Sequence, residues 1–521
     1  MKKYLPIITA AMVSGLIITS LFASGVLEFR RGNSEKNIIN LAKLAVETAP
    51  RNESFSYAQH IQKGDEYAKK NMTALAINEY IAANQQDPEN PEPYTKIGKQ
   101  FYQSRDYVRA QEIFEQLLMK NPENEEAGLS LAQIEIMMRN PEKAEQALAT
   151  LTDSQAKLYF QGLLHAYFGR YDAAKKSLTA AIQVNTFPET TKNAQKILSS
   201  FEEYGVNQGS QEIFLKTILA KNFNQVGQYT LSIPLLYNIV KEKKDYRDAW
   251  ILLGYAYLNI EDPKNAIDAL KQAKDLDGNK PETLFFLGLA YHTTNEKRLA
   301  INLIEEAIAK GFEPKIQAQQ KLAELYLEES NYEKSALKYE SVLALNDSDI
   351  NYYIRPMWIY IDKLAAPDKA LKLAEKAQQS HPDSAMAMNL IGWAQLAMND
   401  IEGARQSLSK ALQMDGKLAA AYLNLGKLFE RTLDYETAKK YYRIALELGA
   451  DSSIGNSAGE LLKRLITVTE KNSPLWPELA PMLQADILSA DTPRQTILQN
   501  EAVPKFKLPE QLQPLENIPV N

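Results

Sequence analysis

Trp250 to Ala273, WILLGYAYLNIEDPKNAIDALKQA, decides the fold. Apolar residues fall three and four apart on both sides of the polar break Ile260-Glu261-Asp262-Pro263, which predicts two amphipathic helices joined by a tight turn. Helices pack at about 8 to 10 Å only where side chains permit. Gly254 and Ala266, twelve residues apart, therefore mark the close approach, with Tyr and Leu filling the space around it. The same spacing runs through Tyr94 to Leu117, where Tyr94, Ile97, Gly98, Phe101, Ala110 and Phe114 align with Trp250, Leu253, Gly254, Tyr257, Ala266 and Leu270. A Gly followed by Ala twelve residues later recurs as Gly64 with Ala76, Gly98 with Ala110, Gly162 with Ala174, Gly254 with Ala266, Gly288 with Ala300, Gly392 with Ala404 and Gly426 with Ala438. Much of this recurrence follows a period of 34. Weaker copies stand at Ala132 with Ala144, at Ala323 and at Trp358 with Ala370, and Pro88, Pro122, Pro314 and Pro382 close several units.

This pattern of Trp or Tyr, Leu-Gly, Tyr, Ala, Phe, Ala and Pro resembles the tetratricopeptide repeat, most closely in residues 57–90, 91–124, 247–280, 281–314 and 419–452. About eleven units start near 57, 91, 125, 155, 213, 247, 281, 316, 351, 385 and 419. The resemblance implies an all-α, right-handed solenoid of antiparallel helix pairs with a concave peptide-binding surface. Stacking is also what the physics requires, because one pair cannot bury its apolar face alone.

The expected organisation is an N-terminal anchor at 1–29, a juxtamembrane segment at 30–56 and a first repeat block at 57–188. An extra helix and break follow at 189–212, a second block at 213–452, a capping helix at 453–470 and a Pro-rich tail at 471–521. The third unit runs short, and Gly205-Val206-Asn207-Gln208-Gly209-Ser210 reads as the break. Eight of the 23 prolines fall in the tail, a density that favours polyproline II or disorder, with Leu475-Trp476-Pro477 as a candidate docking motif.

Leu5 to Leu27 is a 23-residue apolar run, long enough to span a bilayer as a single-pass transmembrane helix. A cleaved signal peptide is the alternative, since Ala23 and Gly25 offer small residues for cleavage. Basic residues flank both ends, Lys2 and Lys3 before it and Arg30, Arg31, Lys36 and Lys43 after it, so the positive-inside count slightly favours a cytoplasmic body. The short basic head followed by an apolar run has the order of a secretory signal, and on that ground the body is assigned to the extracytoplasmic side.

The 521 residues carry a net charge of −6, which argues against nucleic acid as a partner. No cysteine occurs, so disulfides, Cys-ligated zinc and thiol chemistry are excluded. Gly455-Asn456-Ser457-Ala458-Gly459 matches the nucleophile-elbow spacing, but no histidine follows it and it reads as a loop leading into the capping helix. His60, His165, His292 and His381 stand too far apart in sequence for one helix to present two to a metal, and they read as structural. Neither a catalytic residue, a metal nor a cofactor is expected.

What remains is a surface for a protein or peptide ligand. The residues flanking the packing Gly on first helices are unusually apolar: Ile251, Leu252, Tyr255 and Leu258, then Phe285, Phe286 and Leu289, then Met386, Leu390, Trp393 and Leu396. Lys96, Lys99, Lys427 and Arg431 make the outer units more basic. Two readings stand: an exposed apolar strip that binds a partner, or a tightly curled array whose neighbouring units bury it. The function expected is a membrane-tethered scaffold that binds a partner segment and helps assemble an envelope complex. The alternatives are a homo-oligomeric adaptor and a secreted binding protein.

Overall fold

In the computed structural model, residues 55–206, 212–450 and 452–469 are described. Every regular element among them is helical. In chain order the helices are α1 Tyr57–Lys69, α2 Thr73–Gln86, α3 Pro91–Gln103, α4 Tyr107–Lys120, α5 Glu125–Met137, α6 Pro141–Ala149, α7 Gln155–Tyr167 and α8 Tyr171–Val184. They continue with α9 Pro188–Val206, α10 Glu212–Gln225, α11 Tyr229–Glu242, α12 Arg247–Asn259, α13 Pro263–Leu276, α14 Pro281–Thr293, α15 Lys297–Ala309, α16 Lys315–Glu328 and α17 Tyr332–Leu345. After an irregular segment containing α18 Ile354–Trp358 come α19 Pro367–Ser380, α20 Ala385–Ala397, α21 Ile401–Met414, α22 Ala419–Arg431, α23 Tyr435–Leu448 and α24 Ser453–Thr469. Eleven antiparallel pairs are present among the described residues, with α9 as the extra helix and α24 as the cap. The anchor segment, the juxtamembrane segment, most of the Gly-rich break and the Pro-rich tail lie outside the described residues, and no described helix is long and apolar enough to cross a membrane.

The chain divides into two compact units, one ending at Lys157 and the other beginning at Leu158. In the first unit a core of Tyr80, Ile97, Phe101, Ile113, Phe114 and Leu117 joins successive pairs. In the second, a core runs from Ile213 to Tyr326, and smaller ones follow around Tyr353 and Met357, Leu408 and Leu425, and Tyr442 and Leu465.

The small residues sit where the two helices of a pair meet. On the second helices, Ala76, Ala110, Ala174, Ala266, Ala300, Ala404 and Ala438 are all fully buried. These alanines are packing positions with no surface to offer a ligand, because a methyl group is as much as the close approach admits. The glycines opposite them are tighter still, but the large side chain that fills each gap stands four residues beyond the alanine. A Cβ on Gly64 would lie 2.3 Å from Tyr80 Cε1, one on Gly98 2.7 Å from Phe114 Cε2 and one on Gly162 2.6 Å from Leu178 Cγ. The same holds at Gly254 against Leu270 (2.4 Å), Gly288 against Ile304 (2.7 Å), Gly392 against Leu408 (2.6 Å) and Gly426 against Tyr442 (2.5 Å), so any side chain there forces its neighbour to move.

The turns share one construction. At the end of α12 the amide of Glu261 donates to Leu258 O (3.2 Å) and that of Asp262 to Tyr257 O (2.9 Å), a Schellman closure with Glu261 left-handed at φ 60°. Asp262 then caps α13 by accepting from the Asn265 amide at 3.2 Å. Arg105, Asn295, Asn399 and Leu433 are left-handed at the corresponding turns. One expected loop is corrected: Gly455-Asn456-Ser457-Ala458-Gly459 is helical within α24, where Gly455 and Ala458 are buried against the preceding pair.

Candidate functional site

Of the eleven residues expected to form an apolar strip, the structure buries eight. Ile251, Phe285 and Phe286 are fully enclosed, and Leu252, Tyr255, Leu289, Leu390 and Leu396 are nearly so. The expectation that they face solvent is therefore corrected in favour of the second reading. Successive inner helices α10, α12 and α14 pack directly on one another, and large side chains bridge the gap. Tyr255 lies 6.1 Å from Tyr229 and 5.3 Å from Phe286, while Phe285 stacks on Phe312 at 4.1 Å. Asn224 Nδ2 donates to Leu252 O at 3.0 Å, sealing the same seam with a buried hydrogen bond. Leu258, Met386 and Trp393 remain half-buried.

Met386 and Trp393 belong to a different inner surface, built by residues 350–469. It begins with an irregular inner helix. Trp358 stands twelve residues before Ala370, the register that Gly occupies elsewhere, and an indole cannot enter that close approach. The chain instead forms a 3₁₀ turn at Ile350–Tyr353, the short helix α18 and a π turn at Ile359–Lys363. Met357 and Ile359 take the buried positions, and Trp358 is left half-buried with Lys363 Nζ 5.3 Å from its ring. Asp362, on the π turn, reaches solvent.

The next two inner helices are regular. On α20, Asn389 and Trp393 are four residues apart and share a face. On α22, Asn424 and Lys427 are related in the same way at three residues. Asn424 Nδ2 donates to Asn389 Oδ1 at 3.0 Å, so the two helices are joined by a buried amide pair. Arg431 donates to Leu396 O at the C-terminal end of α20, where the helix dipole favours a cation. Glu430 accepts from Tyr442 Oη at 2.6 Å and from Arg464 of α24.

Lys427 is half-buried and makes no hydrogen bond or ion pair with any described residue. Burial pushes its ammonium below the ordinary lysine value, against the attraction of Asp362 and Glu430. Partial loss of water around the Asp362 carboxyl pushes it up, against Lys427, Lys363 and a hydrogen bond from Trp358. The two charges attract each other. The surface thus presents two half-buried indoles and a cation and an anion that do not touch each other, over a buried amide pair.

Three of the histidines are held by neighbouring groups. His60 Nδ1 lies 2.6 Å from Glu79 Oε2, His292 Nε2 lies 3.0 Å from Glu328 Oε1, and His381 Nε2 lies 2.7 Å from Asp347 O. Among the described residues no group of three His, Cys, Asp or Glu is placed to hold a metal. Of the surface described here, sequence reading found Met386, Trp393, Lys427 and Arg431 and missed Asp362, Asn389 and Asn424. Asn389 and Asn424 stand 35 residues apart, one off the period, so alignment of the repeats does not pair them.

Family models described as tetratricopeptide repeat match residues 101–167, 248–280, 364–419 and 390–453. The chain carries tetratricopeptide repeats, and the described residues form an all-α solenoid of them. Superkiller protein 3 of Schizosaccharomyces pombe is 22% identical over 362 residues, covering 66% of this chain and 25% of that protein. The peroxisomal targeting signal receptor of Saccharomyces cerevisiae is 23% identical over 243 residues, covering 45% of this chain and 38% of the receptor. The chain thus spans well under half the length of these relatives. Among solved structures, the APC/C hetero-tetramer Cut9-Hcn1 aligns over 80% of this chain and 97% of its own, at 14% identity and a TM-score of 0.29.

Proposed function

We propose that the protein is a scaffold that binds an extended segment of a partner protein along the inner surface of residues 350–469. The observation that carries this reading is Lys427, a half-buried cation that makes no hydrogen bond or ion pair with any described residue, on the helix that the Asn389–Asn424 bond joins to the one carrying Trp393. Buried charges are normally paired or hydrogen-bonded, and an extended peptide supplies both carbonyl acceptors and side chains for the indoles. The apolar run Leu5 to Leu27 supports tethering in a membrane, the short basic head before it supports an extracytoplasmic body, and the scaffold then serves assembly of an envelope complex.

Affinity capture with the full chain, compared with Trp393→Ala and Lys427→Glu, tests the surface. The expected result is one protein enriched by the native chain and lost from both variants at unchanged helix content. Equal capture by all three would move the binding surface elsewhere. Fractionation tests the tether: the chain is expected in the membrane pellet after carbonate extraction, with the body digested by protease added to spheroplasts.

A further inference from the structure

The inner surface of α20 and α22 lies close to the point where the described chain leaves the array. Arg464 stands 34 residues after Glu430 and is bonded to it, so α24 occupies the place of one further inner helix beside α22. Its last residue, Thr469, lies five residues beyond Arg464, about 7.5 Å of helical rise. With inner helices about 10 Å apart, Lys427 is within about 20 Å of Thr469. Trp476 follows Thr469 by seven residues, a reach of up to about 25 Å. The sequence at that distance is Pro474-Leu475-Trp476-Pro477-Glu478, an aromatic between two prolines whose fixed φ lowers the entropy of ordering, followed by a carboxylate.

We propose that Leu475-Trp476-Pro477-Glu478 of the same chain occupies this inner surface, with Trp476 against Trp393 and the Glu478 carboxylate seated on Lys427. The inference rests on the reading of residues 350–469 as a binding surface and names its resident occupant. Charge complementarity favours Glu478, because Lys427 forms no ion pair with any described residue while Glu430 is already engaged by Arg464 and Tyr442. The short connection raises the local concentration of the segment to about the millimolar range, so a weak intrinsic contact is sufficient. A partner must then displace the segment to bind.

The test uses the full chain with a photo-activated benzophenone residue in place of Trp476, in an equal mixture of isotopically light and heavy protein. Crosslinks are expected within one chain, on residues 385–431, independent of protein concentration. Lys427→Glu should cut their yield at least fivefold. Glu478→Lys, which lies outside every described helix and leaves the array intact, should do the same. The double exchange Lys427→Glu with Glu478→Lys should restore the yield. Light–heavy crosslinks making up about half of the total, the share random pairing of two chains gives, would overturn the proposal in favour of a second copy. Crosslinks away from residues 385–431, or none, would overturn it outright. The crosslinks are read without any partner present, so loss of this proposal is distinguishable from loss of the scaffold reading, which partner capture tests.

Discussion

The inner faces of residues 213–326 and 350–431 are built on the same repeat and end in opposite states. In the first, Tyr255, Phe285 and Phe286 span the seam between successive inner helices and exclude water. In the second, the corresponding positions carry Asn389, Trp393, Asn424 and Lys427, and the seam is closed by aliphatic side chains such as Leu396 and Leu425, the Asn389–Asn424 amide bond and the Arg431 bond to Leu396 O instead of rings. Side-chain volume at the positions flanking the packing glycine therefore determines whether an inner face becomes core or remains a surface. An apolar inner face is not evidence of a groove when its residues are large enough to meet their neighbours.

The comparison breaks most sharply under truncation. Phe286→Ala should destabilise the second unit by about 3 to 5 kcal/mol, as for a fully buried aromatic, whereas half-buried Trp393→Ala should cost less than half of that. Denaturant unfolding of the two variants measures the difference, and equal losses would show that the second face is core as well. A smaller effect is expected from Gly254→Leu, about 1 to 3 kcal/mol from overpacking against Leu270. Hydrogen exchange should rise in residues 213–314 and change little in 57–188, since repeats couple mainly to their neighbours.

Glu328, at the edge of the sealed region, sharpens the comparison electrostatically. Partial burial raises its carboxyl pKa, but the hydrogen bond and charge of His292, together with Lys297, outweigh this and bring it down to about 2. A depressed folded value contributes stability that is present above the unfolded value of about 4.3 and is lost as pH falls toward 2. With 38% of its side chain exposed, solvent screening limits the contribution to under about 1 kcal/mol. Glu328→Gln should therefore lower the melting temperature slightly at pH 7 and not at all near pH 2. A difference that persists at pH 2 would assign the effect to packing.

The smallest expected effect is a gain. Leu433 is left-handed at φ 65° and 71% exposed, so its side chain contributes strain and little packing. Leu433→Gly removes strain of about 1 to 2 kcal/mol and restores unfolded-chain entropy of up to about 1 kcal/mol, for a net gain of about 0.5 kcal/mol. A melting temperature below that of the native chain would show that Leu433 holds the α22–α23 turn by contact.

Much of the architecture was legible before any coordinate, because Gly and Ala at fixed spacing report a close approach that few other residues permit. Seven of the helix pairs carry that spacing, and the helix pairs at the weaker copies keep only its apolar positions. The turn chemistry was not legible: Arg105, Glu261 and Leu433 adopt a conformation that sequence assigns to Gly or Asn, since packing on both flanking helices outweighs the local preference. Gly455 to Gly459 misled in the other direction, because glycines in a helix read as a loop until a neighbouring pair is seen to press against them.

By itself the sequence determined that the chain forms paired amphipathic helices and that their small residues meet, since periodicity and side-chain size are local properties. Only the tertiary structure decided which inner faces are closed. That outcome depends on whether side chains a full repeat apart, such as Tyr255 and Phe286 or Asn389 and Asn424, touch across the seam, and a distance between repeats is not a property of either one alone.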